Sequence, residues 1–123
     1  MDRKRILIID DERGFTAMLS LNLESLGHYE VRVENDAVCA LKTAQDFKPD
    51  LILLDVIMPQ AEGPQIASAI KQHPELQHVP IIYLTATTQS LDKDAPSPAE
   101  GFPCVAKPSN LTTLLAMIEK HLA

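Results

Sequence analysis

The chain has 123 residues and a formal charge of -6, the size of one ordinary domain, able to bury roughly two-thirds of the surface its unfolded form exposes. Its basic residues gather only at Arg3-Lys4-Arg5, so it lacks the basic face that nucleic acid requires, and no direct nucleic-acid binding by this chain is expected. The cysteines Cys39 and Cys104 are too few and too far apart for a disulfide scaffold or a zinc motif. The apolar run at the start is too short for a signal sequence, and no other stretch could span a bilayer, so a single soluble, cytoplasmic domain over residues 1–123 with no membrane partner is expected.

That first run, Ile6-Leu7-Ile8-Ile9, is continuous rather than alternating and stops on Asp10 and Asp11. Unbroken aliphatic runs of this length suit strands buried on both faces, as in a parallel sheet. From Gly14 the residues Phe15, Met18, Leu19, Leu21, Leu23 and Leu26 recur at helical spacing with one broad apolar face, and Gly27 supplies the stop. His28 to Val33 alternates through Tyr29, Val31 and Val33 and reads as an exposed or edge strand. Asn35 is placed to cap a helix through Phe47, with Val38, Leu41 and Ala44 inward and Pro49 closing it.

Leu51-Ile52-Leu53-Leu54 is a second buried run, and it ends abruptly on Asp55. A loop from Met58-Pro59 follows, after which Pro64 opens a helix whose inner face is Ile66, Ala67 and Ile70 and which Pro74 ends. Val79 to Leu84 is the next buried strand, ending on Thr85; Cys104-Val105-Ala106 is a short last strand; and Asn110 caps a helix carrying Leu111, Leu114, Leu115, Ile118 and Leu122. Strand alternates with helix through short connections, and right-handed crossovers then give a doubly wound α/β fold, a five-stranded parallel sheet with helices on both faces. Thr87 to Glu100 breaks the pattern. It holds Pro96 and Pro98 with little apolar periodicity, and an interior proline costs a helix about 3 kcal/mol, so the fourth helix is expected to be shortened or distorted.

In an open α/β sheet, ligands bind beyond the carboxyl ends of the strands. Asp10, Asp11, Asp55, Thr85 and Lys107 all lie at or just past such ends, so parallel alignment gathers them on one edge. Three carboxylates in one mouth repel by about 4 kcal/mol per pair at 4 Å with an effective dielectric near 20. Lys107 offsets one charge, and a hard divalent ion would offset the rest. Mg²⁺ suits a site with few carboxylates, retained waters and a phosphate ligand.

This set resembles the response-regulator receiver domain of two-component signalling, a likeness that covers Lys4 to Leu122. It rests on Asp10-Asp11, Asp55 followed by Met58-Pro59 and Gly63, Thr85-Ala86, and Lys107-Pro108, in the family's order and spacing. The resemblance implies a flavodoxin-like sheet of strand order 2-1-3-4-5. It also implies that Asp55 accepts a phosphoryl group from a phosphohistidine on a sensor histidine kinase or histidine phosphotransfer protein. Asp11, Asp55 and the backbone carbonyl of Ile57 would ligate Mg²⁺, with Asp10 holding metal-bound water. Lys107 and Thr85 would then meet the phosphoryl oxygens, the first as a compact cation and the second as a hydroxyl donor. A downstream protein or fused output domain would read the signal.

Two departures from the family pattern stand out. Cys104 occupies the switch position where members usually carry Tyr or Phe, and the proline-bearing stretch replaces the usual fourth helix. Both favour an alternative, a phosphorylation-independent interaction domain with an atypical output face. The positions that tune phosphoryl lifetime in the family are here Ile57 and Thr87. Neither carries a carboxylate or amide to orient water, so slow self-hydrolysis is expected. A nucleotide- or flavin-binding role is disfavoured, because no glycine-rich loop follows the first strand and Asp10-Asp11-Glu12 would repel an anion.

Overall fold

A computed structural model describes residues 3–56, 63–85, 104–106 and 111–122 of the chain. In chain order the elements are β1 (Lys4–Ile9), α1 (Arg13–Glu24), β2 (Tyr29–Glu34), a 3-10 turn (Ala37–Cys39), α2 (Ala40–Phe47), β3 (Leu51–Asp55), α3 (Gly63–Lys71), β4 (Ile81–Thr85), β5 (Cys104–Ala106) and α4 (Leu111–Leu122). The strands form one five-stranded sheet in the order β2-β1-β3-β4-β5, parallel at every pairing. This is the doubly wound order that the sequence resemblance implies.

The unbroken aliphatic runs are explained by two cores, one on each face of the sheet. Leu7, Ile9, Ile52, Leu54, Ile81 and Tyr83 pack with Ala40, Ala44 and Phe47 of α2 and with Ile66 and Ile70 of α3. The alternate residues Ile6, Ile8, Leu51, Leu53, Ile82 and Leu84 pack with Leu19 and Leu23 of α1 and with Leu114 and Ile118 of α4. Successive strand residues point to opposite faces, so a strand covered on both sides has no polar position to spare. Each fully buried Leu or Ile contributes about 1.5–3 kcal/mol relative to exposure.

Register is pinned at the start of β3. The Asp50 amide donates to the Arg5 carbonyl at 2.7 Å, and the Arg5 amide donates to the Asp50 carboxylate at 2.8 Å. From there Ile6 pairs with Leu51 and Ile9 with Leu54, so Asp10 and Asp55 reach the same edge of the sheet one residue later.

Local details depart from the sequence reading. Met18 and Leu21 of α1 are 50% and 71% exposed. At 3.6 residues per turn, Phe15, Leu19 and Leu23 share one stripe while Leu21 lies nearly opposite Leu19, so the sheet takes only the stripe. Val38 is also outward, at 75% exposure, because it sits in the 3-10 turn ahead of α2. Asp36, not Asn35, caps that turn, its carboxylate accepting from the Val38 amide at 2.9 Å. β4 starts at Ile81 rather than Val79. Backbone bonds from the Leu76 amide to the His73 carbonyl and from the Val79 amide to the Leu76 carbonyl fold the preceding segment into turns, and Lys71 Nζ braces it by donating to the carbonyls of Gln77 at 2.9 Å and Val79 at 2.6 Å. α1 ends at Glu24 with Ser25 as its C-cap, and Gly27, three residues past the last helical residue, takes a φ of 83° that suits glycine. The fourth helix expected between β4 and β5, and the Asn110 cap, lie outside the described residues.

Candidate functional site

The carboxyl ends of β1 and β3 converge on a cluster of three acids. One carboxylate oxygen from each of Asp10, Asp11 and Asp55 lies within 4.8 Å of the others. Asp10 and Asp55 are only 0% and 5% exposed, while Asp11 is half-buried. Burying charge is costly unless it is met by hydrogen bonds or an ion. For Asp10 part of the answer is local: the Glu12 amide donates to Asp10 Oδ1 at 2.9 Å, just where α1 begins and its first amides are free of helix partners.

Backbone and side-chain bonds fix Asp10 on every side. Its amide donates to the Glu34 carbonyl at 3.1 Å, continuing the β1–β2 ladder. Its carbonyl accepts from Asn35 Nδ2 at 2.7 Å, and the same amide nitrogen donates to Thr16 Oγ1 at 3.0 Å. Thr16, 1% exposed, donates its own hydroxyl to the Arg13 carbonyl at 3.1 Å. Sequence reading gave Asn35 a capping role and Thr16 none. The signal available was the Asn35-Asp36 pair, either of which suits a cap, and only one of which can hold it.

The donor set fits Mg²⁺ on its chemistry. All three side chains offer hard oxygen, gathered within 4.8 Å of one another, a spacing that suits one small cation held by some of them directly and by another through a retained water. Thr85 ends β4 and pairs through its backbone with Ala106, and Cys104 pairs with Tyr83. Thr85 therefore reaches the same edge as Asp55, which pairs with Leu84. The Thr85 hydroxyl and the Cys104 thiol lie outside the described part, as do Ile57, Thr87 and Lys107. Cys39 is exposed, and loss of hydration followed by the nearby carboxylates of Asp36 and Glu34 raises its thiol above the usual value, which keeps it a poor nucleophile.

Fold and site together define a flavodoxin-like α/β domain with an oxygen-lined acidic mouth at the carboxyl ends of its strands. Residues 6–119 match the family model of the response regulator receiver domain. The chain belongs to that family, the receiver domains of two-component response regulators. It is 40% identical over 90 residues to the alkaline phosphatase synthesis transcriptional regulatory protein PhoP of Bacillus subtilis, a match covering 73% of this chain and 36% of that protein. The chain spans about half or less of the length of several curated relatives it matches. Among solved structures, the chemotaxis response regulator CheY4 of Vibrio cholerae superposes with a TM-score of 0.84 at 29% identity, over 98% of this chain and 100% of that one. The response regulator TrrA of Thermotoga maritima, solved in complex with Mg²⁺-BeF, gives a TM-score of 0.79 at 30% identity, over 97% and 99% of the two chains. No helix among the described residues is long and apolar enough to cross a membrane.

Proposed function

We propose that the chain is a single cytoplasmic receiver domain that accepts a phosphoryl group on Asp55. The observation that carries this reading is the convergence of Asp10, Asp11 and Asp55 within 4.8 Å at the edge where β1 and β3 end. The donor is a phosphohistidine on a sensor histidine kinase or phosphotransfer protein. An Asp55 oxygen attacks phosphorus in line, the P–N bond breaks, and the electron pair stays on the imidazole nitrogen, which takes up a proton. Asp11, Asp55 and the Ile57 carbonyl would hold Mg²⁺, with Asp10 holding metal-bound water. When bound, the ion neutralises charge on the phosphoryl oxygens and on the acids themselves. Lys107 and Thr85 meet the remaining phosphoryl oxygens as cation and hydroxyl donor. The TrrA complex with Mg²⁺-BeF supports this assignment by likeness.

Burial of Asp55 gives the reaction its setting. At 5% exposure Asp55 is largely withdrawn from bulk water at the end of β3. Output passes to a downstream protein or a fused domain, read from the surface around Thr85 and Cys104.

Intact-mass measurement after incubation with acetyl phosphate, with and without Mg²⁺, tests the reading. A Mg²⁺-dependent gain of one phosphoryl group, lost in Asp55→Asn, is the expected result. No gain under conditions that label an ordinary receiver would reject it in favour of a phosphorylation-independent interaction domain.

A further inference from the structure

The peptide that joins Asp10 to Asp11 is held from outside by one side chain. Asn35 Nδ2 donates to the Asp10 carbonyl at 2.7 Å and to Thr16 Oγ1 at 3.0 Å, so both protons of one amide are spent on two different elements. The peptide unit is planar. Fixing its carbonyl therefore also fixes the direction of the Asp11 amide, and with it the path by which Asp11 enters the acid cluster. The neighbouring Glu34 carbonyl holds the other side of Asp10 by accepting its amide at 3.1 Å. Two consecutive residues at the end of β2 thus clamp the first acid of the pair.

We propose that Asn35 is a positioning residue for the Mg²⁺ site, setting its affinity by orienting the Asp10–Asp11 peptide, with Thr16 as the anchor that keeps the amide aimed. This rests on the acid cluster being the Mg²⁺ site. The chemistry selects asparagine. Aspartate at this position has no donor for the Asp10 carbonyl, and serine has a single proton for two acceptors. Thr16 suits the anchor because its hydroxyl donates onward to the Arg13 carbonyl at 3.1 Å, leaving lone pairs directed at Asn35. The chain Asn35 to Thr16 to Arg13 runs in one direction, and each bond polarises the next. Among the described residues Asn35 bonds the Asp10 carbonyl and the Thr16 hydroxyl, so its effect reaches the metal through the backbone of Asp10.

The test is a Mg²⁺ titration of the unphosphorylated protein, followed by calorimetry or by amide chemical shifts, well below the unfolding temperature. The expected result is that Asn35→Ala weakens Mg²⁺ binding about tenfold, the lower end of what loss of an outer partner of a metal ligand costs. Thr16→Val, nearly isosteric and without the hydroxyl, weakens it in the same direction, and Thr16→Ser restores it. A purely structural Asn35 would lower the melting temperature of the metal-free protein and leave the Mg²⁺ affinity of the folded form unchanged. That outcome, in Asn35→Ala and Thr16→Val alike, overturns the proposal while leaving the site assignment intact. Absence of Mg²⁺ binding by the unsubstituted protein overturns the site assignment and the role of Asn35 with it.

Discussion

Ile9 pairs with Leu54 in the parallel ladder between β1 and β3. The residues that follow them, Asp10 and Asp55, are therefore brought to one edge with little choice of separation. Both are buried, and Asp11 completes a trio whose oxygens lie within 4.8 Å. Such a cluster is poised for an ion and uncomfortable without one.

Removing one charge from the trio should therefore stabilise the metal-free fold. Asp10→Asn keeps an oxygen able to accept from the Glu12 amide and abolishes two repulsive pairs, each about 4 kcal/mol at 4 Å and an effective dielectric near 20 before relaxation. In EDTA its melting temperature is expected to rise by at least ~3 °C, the shift that about 1 kcal/mol produces in a domain of this size. Mg²⁺ should stabilise the unsubstituted protein by about 2.7 kcal/mol at a hundredfold excess over Kd, and Asp10→Asn by less. Thermal melts with and without the ion check both, and an unchanged or lower melting temperature for Asp10→Asn in EDTA would contradict the repulsion argument.

Phosphoryl lifetime should be long and set by the side chains at the two positions that tune it in the family, Ile57 and Thr87. Ile57 and Thr87 offer neither carboxylate nor amide to orient an attacking water. Thr87→Glu is expected to shorten the lifetime about tenfold, short of the roughly 10²–10⁴ that a fully placed general base contributes. Loss of label followed by intact mass after donor removal measures it. Rapid loss from the unsubstituted protein would contradict the expectation.

Lys71 closes the turn between α3 and β4, and burial pulls its amine below the usual lysine value. Lys71→Met keeps the aliphatic stem and leaves the Gln77 and Val79 carbonyls without this donor. A destabilisation of about 1.5–3 kcal/mol is expected, the range for a hydrogen bond to a charged group. Urea unfolding would reveal it as a lower midpoint at unchanged slope, and a midpoint equal to that of the unsubstituted protein would show the turn to be self-supporting.

Much of this protein was legible in one dimension because its central strands are buried on both faces. Ile6 to Ile9 and Leu51 to Leu54 contain no polar residue, as suits a sheet covered by helices on two sides, and the acids that end each run mark the carboxyl edge of the sheet. From that pattern the parallel sheet, its acidic edge and the grouping of Asp10, Asp11 and Asp55 follow. Gly27 likewise marked the turn that follows α1, through the backbone geometry that glycine alone adopts freely.

Which apolar side chains of α1 face inward, and what Asn35 does, were settled only by three-dimensional packing. Leu19 and Leu21 are chemically alike and two residues apart, yet one is 3% exposed and the other 71%, because a helix laid on a sheet buries a stripe and hydropathy alone does not say which. Asn35 and Asp36 are equally suited to cap a helix, and the choice fell to partners distant in sequence. Asp36 reaches the Val38 amide beside it, whereas Asn35 lies where the ends of β1 and β2 and the first turn of α1 meet, facing the carbonyl of Asp10 and the hydroxyl of Thr16. Local composition determined the elements and the acids at their ends; the register between strands and the seating of α1 decided which neighbours hold those acids in place.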